Sequence, residues 1–190
     1  ELRAALPMQV AFSPKLYFNL LSEGSVDASL VTDSIALGPF ALLFPELRDV
    51  TGFARADAHV TGTVGNPNLS GTIYVINGAL TPIIADRRYT DINAEIVFTQ
   101  RSAEIRKLHA FSGGPLDATG RIDFPSLRNP EANIKVTLDK FRPAGVDAHP
   151  DAYASGTINI VGPLFSPVVN GAVSIGGGDI PVPMTGNVGI

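Results

Sequence analysis

The sequence predicts an all-β protein of elongated, antiparallel build. Three observations carry this: hydrophobicity alternates with a period of two over most of the 190 residues, turn-forming Gly, Pro and Asn recur at short intervals, and one stretch of the chain repeats a hundred residues later.

Taken in order, Val26, Ala28 and Leu30 begin the alternation. One short helix is expected at residues 39–49, since Pro39 suits an early helical turn and Pro45 is placed to kink or end it. Beyond it, Ala54, Ala56, Ala58, Val60 and Val64 share one phase, against Arg55, Asp57, His59, Thr61 and Thr63. Ala94, Ile96 and Phe98 continue the pattern. Leu116, Ala118, Ile122 and Phe124 then alternate with Asp117, Thr119, Arg121 and Asp123, and Ile134, Val136 and Leu138 with Asn133, Lys135, Thr137 and Asp139. Each strand is apolar on one side and wet on the other. Between Ile105 and Leu108 the phase slips by one, which predicts a β-bulge at Arg106-Lys107. Turn signals at Gly65-Asn66-Pro67, Asn77-Gly78, Ser112-Gly113-Gly114-Pro115, Asn129-Pro130, Gly162-Pro163 and Ser166-Pro167 set neighbouring strands antiparallel. About a dozen strands result, and one short helix cannot cover them.

The repeat aligns Pro67-Asn68-Leu69-Ser70-Gly71-Thr72-Ile73-Tyr74-Val75 with Pro167-Val168-Val169-Asn170-Gly171-Ala172-Val173-Ser174-Ile175 without a gap, and extends to Gly62 with Gly162, Gly78 with Gly178 and Leu80 with Ile180. A repeated all-β unit points to a stack rather than a globule. Residues 1–190 thus read as one elongated module, with 1–53 as a cap or plug carrying the helix and 54–190 as the repeated strand stack. With no initiator Met, no leader and no closing signal, the chain reads as a slice of a longer one.

Charged residues make up 17%, below the roughly 25% of soluble domains. The longest apolar run, Ile35 to Pro45, is broken by Gly38 and Pro39 and is too short for a membrane-spanning helix. A net charge of -4 leaves no basic footprint for a nucleic-acid backbone. With zero cysteines, disulfides and thiol chemistry are excluded.

Catalytic signatures are missing too. There is no nucleophile elbow, no phosphate-binding glycine loop before Lys and Ser/Thr, and no Asp-rich calcium loop. His59, His109 and His149 stand far apart, none with a second ligand at metal spacing, so no metal or other cofactor is expected. Asp117, Asp123 and Asp139 lie on the wet phase beside Thr, Arg and Lys, where carboxylates read as a solvated face rather than a catalytic pair. Gly176-Gly177-Gly178 reads as a turn or bulge before Asp179-Ile180-Pro181. The protein is not expected to be an enzyme.

What remains is the apolar face. An all-β chain hides such a face by closing as a sandwich or by folding lengthwise around a trough. Ala54, Ala56, Ala58, Gly62, Gly71, Ala118, Gly120 and Gly171 on the apolar phase leave space, unless large residues meet them across a dry core.

The string Val60-Thr61-Gly62-Thr63-Val64-Gly65-Asn66-Pro67-Asn68-Leu69-Ser70-Gly71, its echo Ile160-Val161-Gly162-Pro163-Leu164-Phe165-Ser166-Pro167-Val168-Val169-Asn170-Gly171, and the intervening Ala110-Phe111-Ser112-Gly113-Gly114-Pro115-Leu116-Asp117-Ala118-Thr119-Gly120 resemble the AsmA-like proteins, the TamB family in particular. The resemblance covers residues 50–180. It implies a periplasmic segment of an inner-membrane-anchored protein of a diderm bacterium, folded as a β-taco: an open, folded-over sheet whose hydrophobic groove carries phospholipid toward the outer membrane. It implies work in outer-membrane biogenesis with the barrel partner TamA. There are no catalytic residues to carry over, only groove-facing positions, which fall on Leu69, Ile73, Val75, Ile96, Phe98, Leu116, Ile122, Phe124, Ile134, Val136, Leu138, Ile158, Ile160, Val173 and Ile175. The competing reading is a closed β-sandwich serving as a structural or adhesive module without lipid cargo, and an envelope glycan hydrolase stands third.

Overall fold

The computed structural model describes residues 2–5, 8–12, 16–20, 24–43, 45–83, 87–143 and 152–177. Twelve strands run through them: β1 (Leu2–Ala5), β2 (Met8–Phe12), β3 (Leu16–Leu20), β4 (Asp27–Ala36), β5 (Leu47–Gly62), β6 (Pro67–Pro82), β7 (Tyr89–Gln100), β8 (Ser102–Phe111), β9 (Pro115–Asp123), β10 (Glu131–Phe141), β11 (Tyr153–Pro163) and β12 (Val168–Gly176). Among the described residues, ten form one sheet in the order β1-β4-β5-β6-β7-β8-β9-β10-β11-β12, and β2 and β3 pair separately. All ladders are antiparallel, as the short turns require.

The expected helix is shorter than its sequence pattern. A 3-10 helix spans Gly38–Leu43, and Leu47 already pairs with Pro82 in the β5–β6 ladder. Pro45 lacks the N–H that would carry the helix onward, so residues 47–49 go to the sheet instead of a helix reaching Asp49. Asn77-Gly78 is also corrected: it is no turn but a bulge inside β6, with Asn77 at φ 49° and a register shift between Val75 and Gly78. Gly52 across the ladder has to be small there, because at φ +105° a Cβ on it would lie 2.6 Å from the Gly78 Cα.

The bulge at Arg106-Lys107 stands where the phase slip puts it. Ile105 pairs with Gly120 and Leu108 with Ala118, so two residues of β8 oppose the single residue Thr119. Without the extra residue, Leu108 would point to the polar side.

In an antiparallel ladder directly paired residues share a face, so the alternation becomes rows that cross the strands. One row runs Leu30, Ala58, Gly71, Phe98, Ala103, Ile122, Ala132, Gly162 from β4 to β11. The next runs Thr32, Ala56, Ile73, Ile96, Ile105, Gly120, Ile134, Ile160, Val169, and the third Ile35, Ala54, Val75, Ala94, Leu108, Ala118, Val136, Ile158, Gly171. Eight spacings of about 4.8 Å make this strip about 38 Å long, at right angles to the strands.

The repeat is a repeat of register. Eight consecutive pairs from Ala54↔Val75 to Thr61↔Asn68 are matched, a hundred residues on, by Ala154↔Ile175 to Val161↔Val168.

Candidate functional site

The site is the apolar face itself. Among the described residues, substantial contacts run only between ladder neighbours and between the 3-10 helix and β5, so no second sheet closes over the strip. The result is an open, elongated sheet rather than a sandwich. Of the groove positions expected from sequence, Leu69 and Leu138 are buried, while Ile73, Val75, Ile96, Phe98, Leu116, Ile122, Phe124, Ile134, Val136, Ile158 and Ile160 are half-buried and Val173 and Ile175 are exposed. The register places all of those within strands on one face; Phe124 lies one residue past β9. Half-burial of a contiguous row of Ile and Val is costly for a surface in water and is the mark of a face awaiting a partner.

Small residues shape its floor. Ala58 and Gly71 sit opposite one another between Leu30 and Phe98, leaving a depression of about 200 Å³ lined by Ala28, Leu30, Ala58, Val60, Ile73 and Phe98. Gly71 has φ +105°, and a Cβ on it would meet the Asp57 carbonyl of the paired strand. The position therefore stays without a side chain for backbone reasons as well as for space.

Contacts that skip ladders occur at both sets of strand ends, the long sides of the strip. At one end, the ring centroids of Tyr89 in β7 and Phe141 in β10 lie 5.4 Å apart, although three ladders of a flat sheet span about 14 Å. Tyr89 packs there with Leu116, Val136 and Ile158 around Leu138, Phe141 and Ala154, the one buried cluster of the described chain to extend across several strands. At the other end, the Leu127 N–H in the β9–β10 loop donates to the Val64 carbonyl in the β5–β6 turn at 2.8 Å. The bond thus joins two connections that β7 and β8 separate in the sheet. Val64 and Pro67 are the largest fully buried side chains there.

The opposite face is polar and self-paired. His59 contacts Asp57 at 3.0 Å, His109 contacts Asp117 at 2.8 Å, and Arg121 donates to Asp123 at 2.6 Å. Arg106, the bulged residue, donates to Glu104 and Glu95 at 3.3 Å each, and the Glu104 carboxylate first, then Glu95, pushes its guanidinium above the ordinary arginine range. A wider depression of about 580 Å³ lies over this bulge, lined by Glu104, Arg106, Arg121 and Lys135 among others, but it is shallow and its acids and bases largely engage one another. Among the described residues no group of three or more His, Asp or Glu side chains comes together, and no helix is long and apolar enough to cross a membrane. His149 and Gly178 to Pro181 lie outside the described residues.

Residues 106–189, from the bulge in β8 through β12 and onward, match the family model of the TamB C-terminal domain. That stretch is similar to the TamB C-terminal domain. The TamB family is a non-enzymatic transport and assembly component of the bacterial envelope, part of the translocation and assembly module, and it works with TamA. No curated protein and no solved structure matches the chain. The TamB match begins after β7, so the apolar rows extend through β4 to β7, beyond the matched residues, in the same register.

Sequence reasoning missed two parts of this site. The Tyr89–Phe141 contact and the Leu127–Val64 bond join residues 52 and 63 positions apart, and neither carries a local signal.

Proposed function

We propose that the apolar strip of this chain is a lipid-conducting groove, in which phospholipid acyl chains lie along the rows on their way between the inner and outer membranes. The single observation behind this reading is a continuous apolar face about 38 Å long that is half-exposed and, among the described residues, has no second layer over it. Each methylene moved from water onto such a face stabilises the complex by up to about 0.8 kcal/mol. A chain lying lengthwise therefore gains what a folded globule gains from its core. The groove positions are Leu69, Ile73, Val75, Ile96, Phe98, Leu116, Ile122, Phe124, Ile134, Val136, Leu138, Ile158, Ile160, Val173 and Ile175. The protein acts in the periplasm as part of an inner-membrane-anchored chain, and TamA at the outer membrane is its partner in envelope biogenesis.

Photo-crosslinking residues at Ile122 or Val136, on the apolar face, are expected to capture lipid, and the same residues at Asp123 or Lys135, one position along and on the polar face, are expected to capture none. Mass spectrometry of the adducts reads the result. Equal labelling of both faces would remove the basis for the groove.

A further inference from the structure

The β9–β10 connection is longer than the sheet needs. The β7–β8 turn reverses the chain with Arg101 alone between strands, whereas residues 124–130 make an excursion that joins three other hairpins. Its near foot is bound to the β7–β8 turn: the Phe124 N–H donates to the Arg101 carbonyl at 2.7 Å, and the Arg101 guanidinium donates to the Phe124 and Pro125 carbonyls at 3.3 and 2.6 Å. Its far foot is held at the β11–β12 turn, where the Leu164 N–H donates to the Pro130 carbonyl at 2.9 Å. Between the feet, Asn129 N–H bonds to the Ser126 carbonyl at 3.3 Å and to the Ser126 hydroxyl at 3.2 Å, so residues 126–129 are a turn closed on itself. Pro125 and Pro130 fix φ on either side. Rotation at the two feet moves this turn as one piece.

The crest meets the β5–β6 hairpin through one backbone hydrogen bond, Leu127 N–H to the Val64 carbonyl. What lies beneath that contact distinguishes it from an ordinary loop contact. Val64 and Pro67 are fully buried, and Leu69 is 3% exposed, whereas Ile73, beyond Gly71 on the same strand face, is half-exposed. Burial along this face of β6 thus falls off within a few residues of the contact.

We propose that residues 124–130 are a latch over one rim of the trough: closed, the crest covers Val64 and the Leu69 end of the floor, and open, it admits an alkyl chain there. This rests on the lipid reading above and adds to it a gate that controls exchange. Opening breaks one backbone bond and uncovers two or three apolar side chains while both feet stay bound, a small local cost of the kind that moving elements use.

The chain has no cysteine, so Val64→Cys with Leu127→Cys introduces a single pair, and backbones in direct hydrogen-bond contact bring it within disulfide range. The probe is pyrene-labelled phosphatidylglycerol in phosphatidylethanolamine/phosphatidylglycerol vesicles. Oxidation is expected to slow uptake and release of the probe by the full chain about tenfold or more, the effect of adding at least one hydrogen bond's worth of barrier, and reductant is expected to restore both. Leu127→Pro, which removes the donor, is expected to speed them. Failure of the disulfide to form, or a closed disulfide with unchanged exchange in a protein that still loads probe, overturns the latch and leaves the groove standing. If neither the reduced pair nor the parent chain takes up probe, the lipid reading fails, and the latch with it.

Discussion

The hairpins β5–β6 and β11–β12 share eight pairings at an offset of one hundred, yet their side chains live in different surroundings. Leu69 is 3% exposed and its counterpart Val169 is 61% exposed; Val75 is half-buried and Ile175 is 73% exposed. The backbone unit is the same and so is the apolar phase. What differs is the next strand: β6 is followed in the sheet by β7, while β12 is the last strand of the sheet among the described residues. Burial in this architecture is thus supplied by the neighbour rather than by the unit itself, which is how stacked repeats distribute their stability. The β5–β6 turn differs as well, since it carries Val64 under Leu127, whereas the β11–β12 turn exposes Phe165.

Carboxylates placed at the two matched positions separate these contributions most strongly. Leu69→Asp removes a buried leucine and buries a charge, and should cost about 4 kcal/mol or more, whereas Val169→Asp at the exposed edge should cost under about 1 kcal/mol. Denaturant melts of both variants measure the difference. Equal losses would mean that β12 is as well covered as β6.

The glycines at the turns give a smaller contrast. Gly62 and Gly162 both have positive φ, +93° and +102°, but a Cβ on Gly62 would lie 2.6 Å from the Asn66 carbonyl oxygen and one on Gly162 would meet nothing within 4 Å. Gly62→Ala should therefore cost about 2 to 3 kcal/mol, backbone strain plus a clash, and Gly162→Ala about 1 kcal/mol, strain alone. Thermal midpoints rank them, and the reverse order would show that the two turns are not built alike.

Much of the fold could be read from residue order because its determinants are local. The slip between Ile105 and Leu108 is visible as two polar residues where one belongs, and the structure spends the extra one on a bulge. Alternation from Leu116 to Leu138 maps directly onto the rows, since a period of two and an antiparallel register leave no freedom about which residues share a face. Two local signals gave the wrong element. The apolar stretch after Pro39 has a helical look that Pro45 cuts short, and Asn77-Gly78 has the composition of a hairpin turn but bends a single long strand, because Gly52 opposite it allows the backbones to come close. The two contacts that skip ladders were not legible at all. Tyr89 and Phe141, and Leu127 and Val64, meet only after every intervening ladder has formed.

The smallest effect on stability belongs to the edge. Val169→Lys should change it by no more than about 0.5 kcal/mol, but should suppress association of the chain through β12 as concentration rises, since a charged edge strand resists pairing. Sedimentation across a wide concentration range tests this. A parent chain that stays monomeric throughout would show that its edge is already protected.

The isoleucine row has a kinetic consequence. Ile73, Ile96, Ile105, Ile134 and Ile160 recur in step with the strands, so an apolar chain resting on them meets a surface corrugated every 4.8 Å or so, with Gly120 as its one low point. Shifting such a chain by one strand exchanges nearly the same contacts for nearly the same contacts. The free-energy profile along the row is a washboard of shallow wells rather than a single deep one, and displacement along it is a one-dimensional random walk whose direction has to be set by what happens at its two ends.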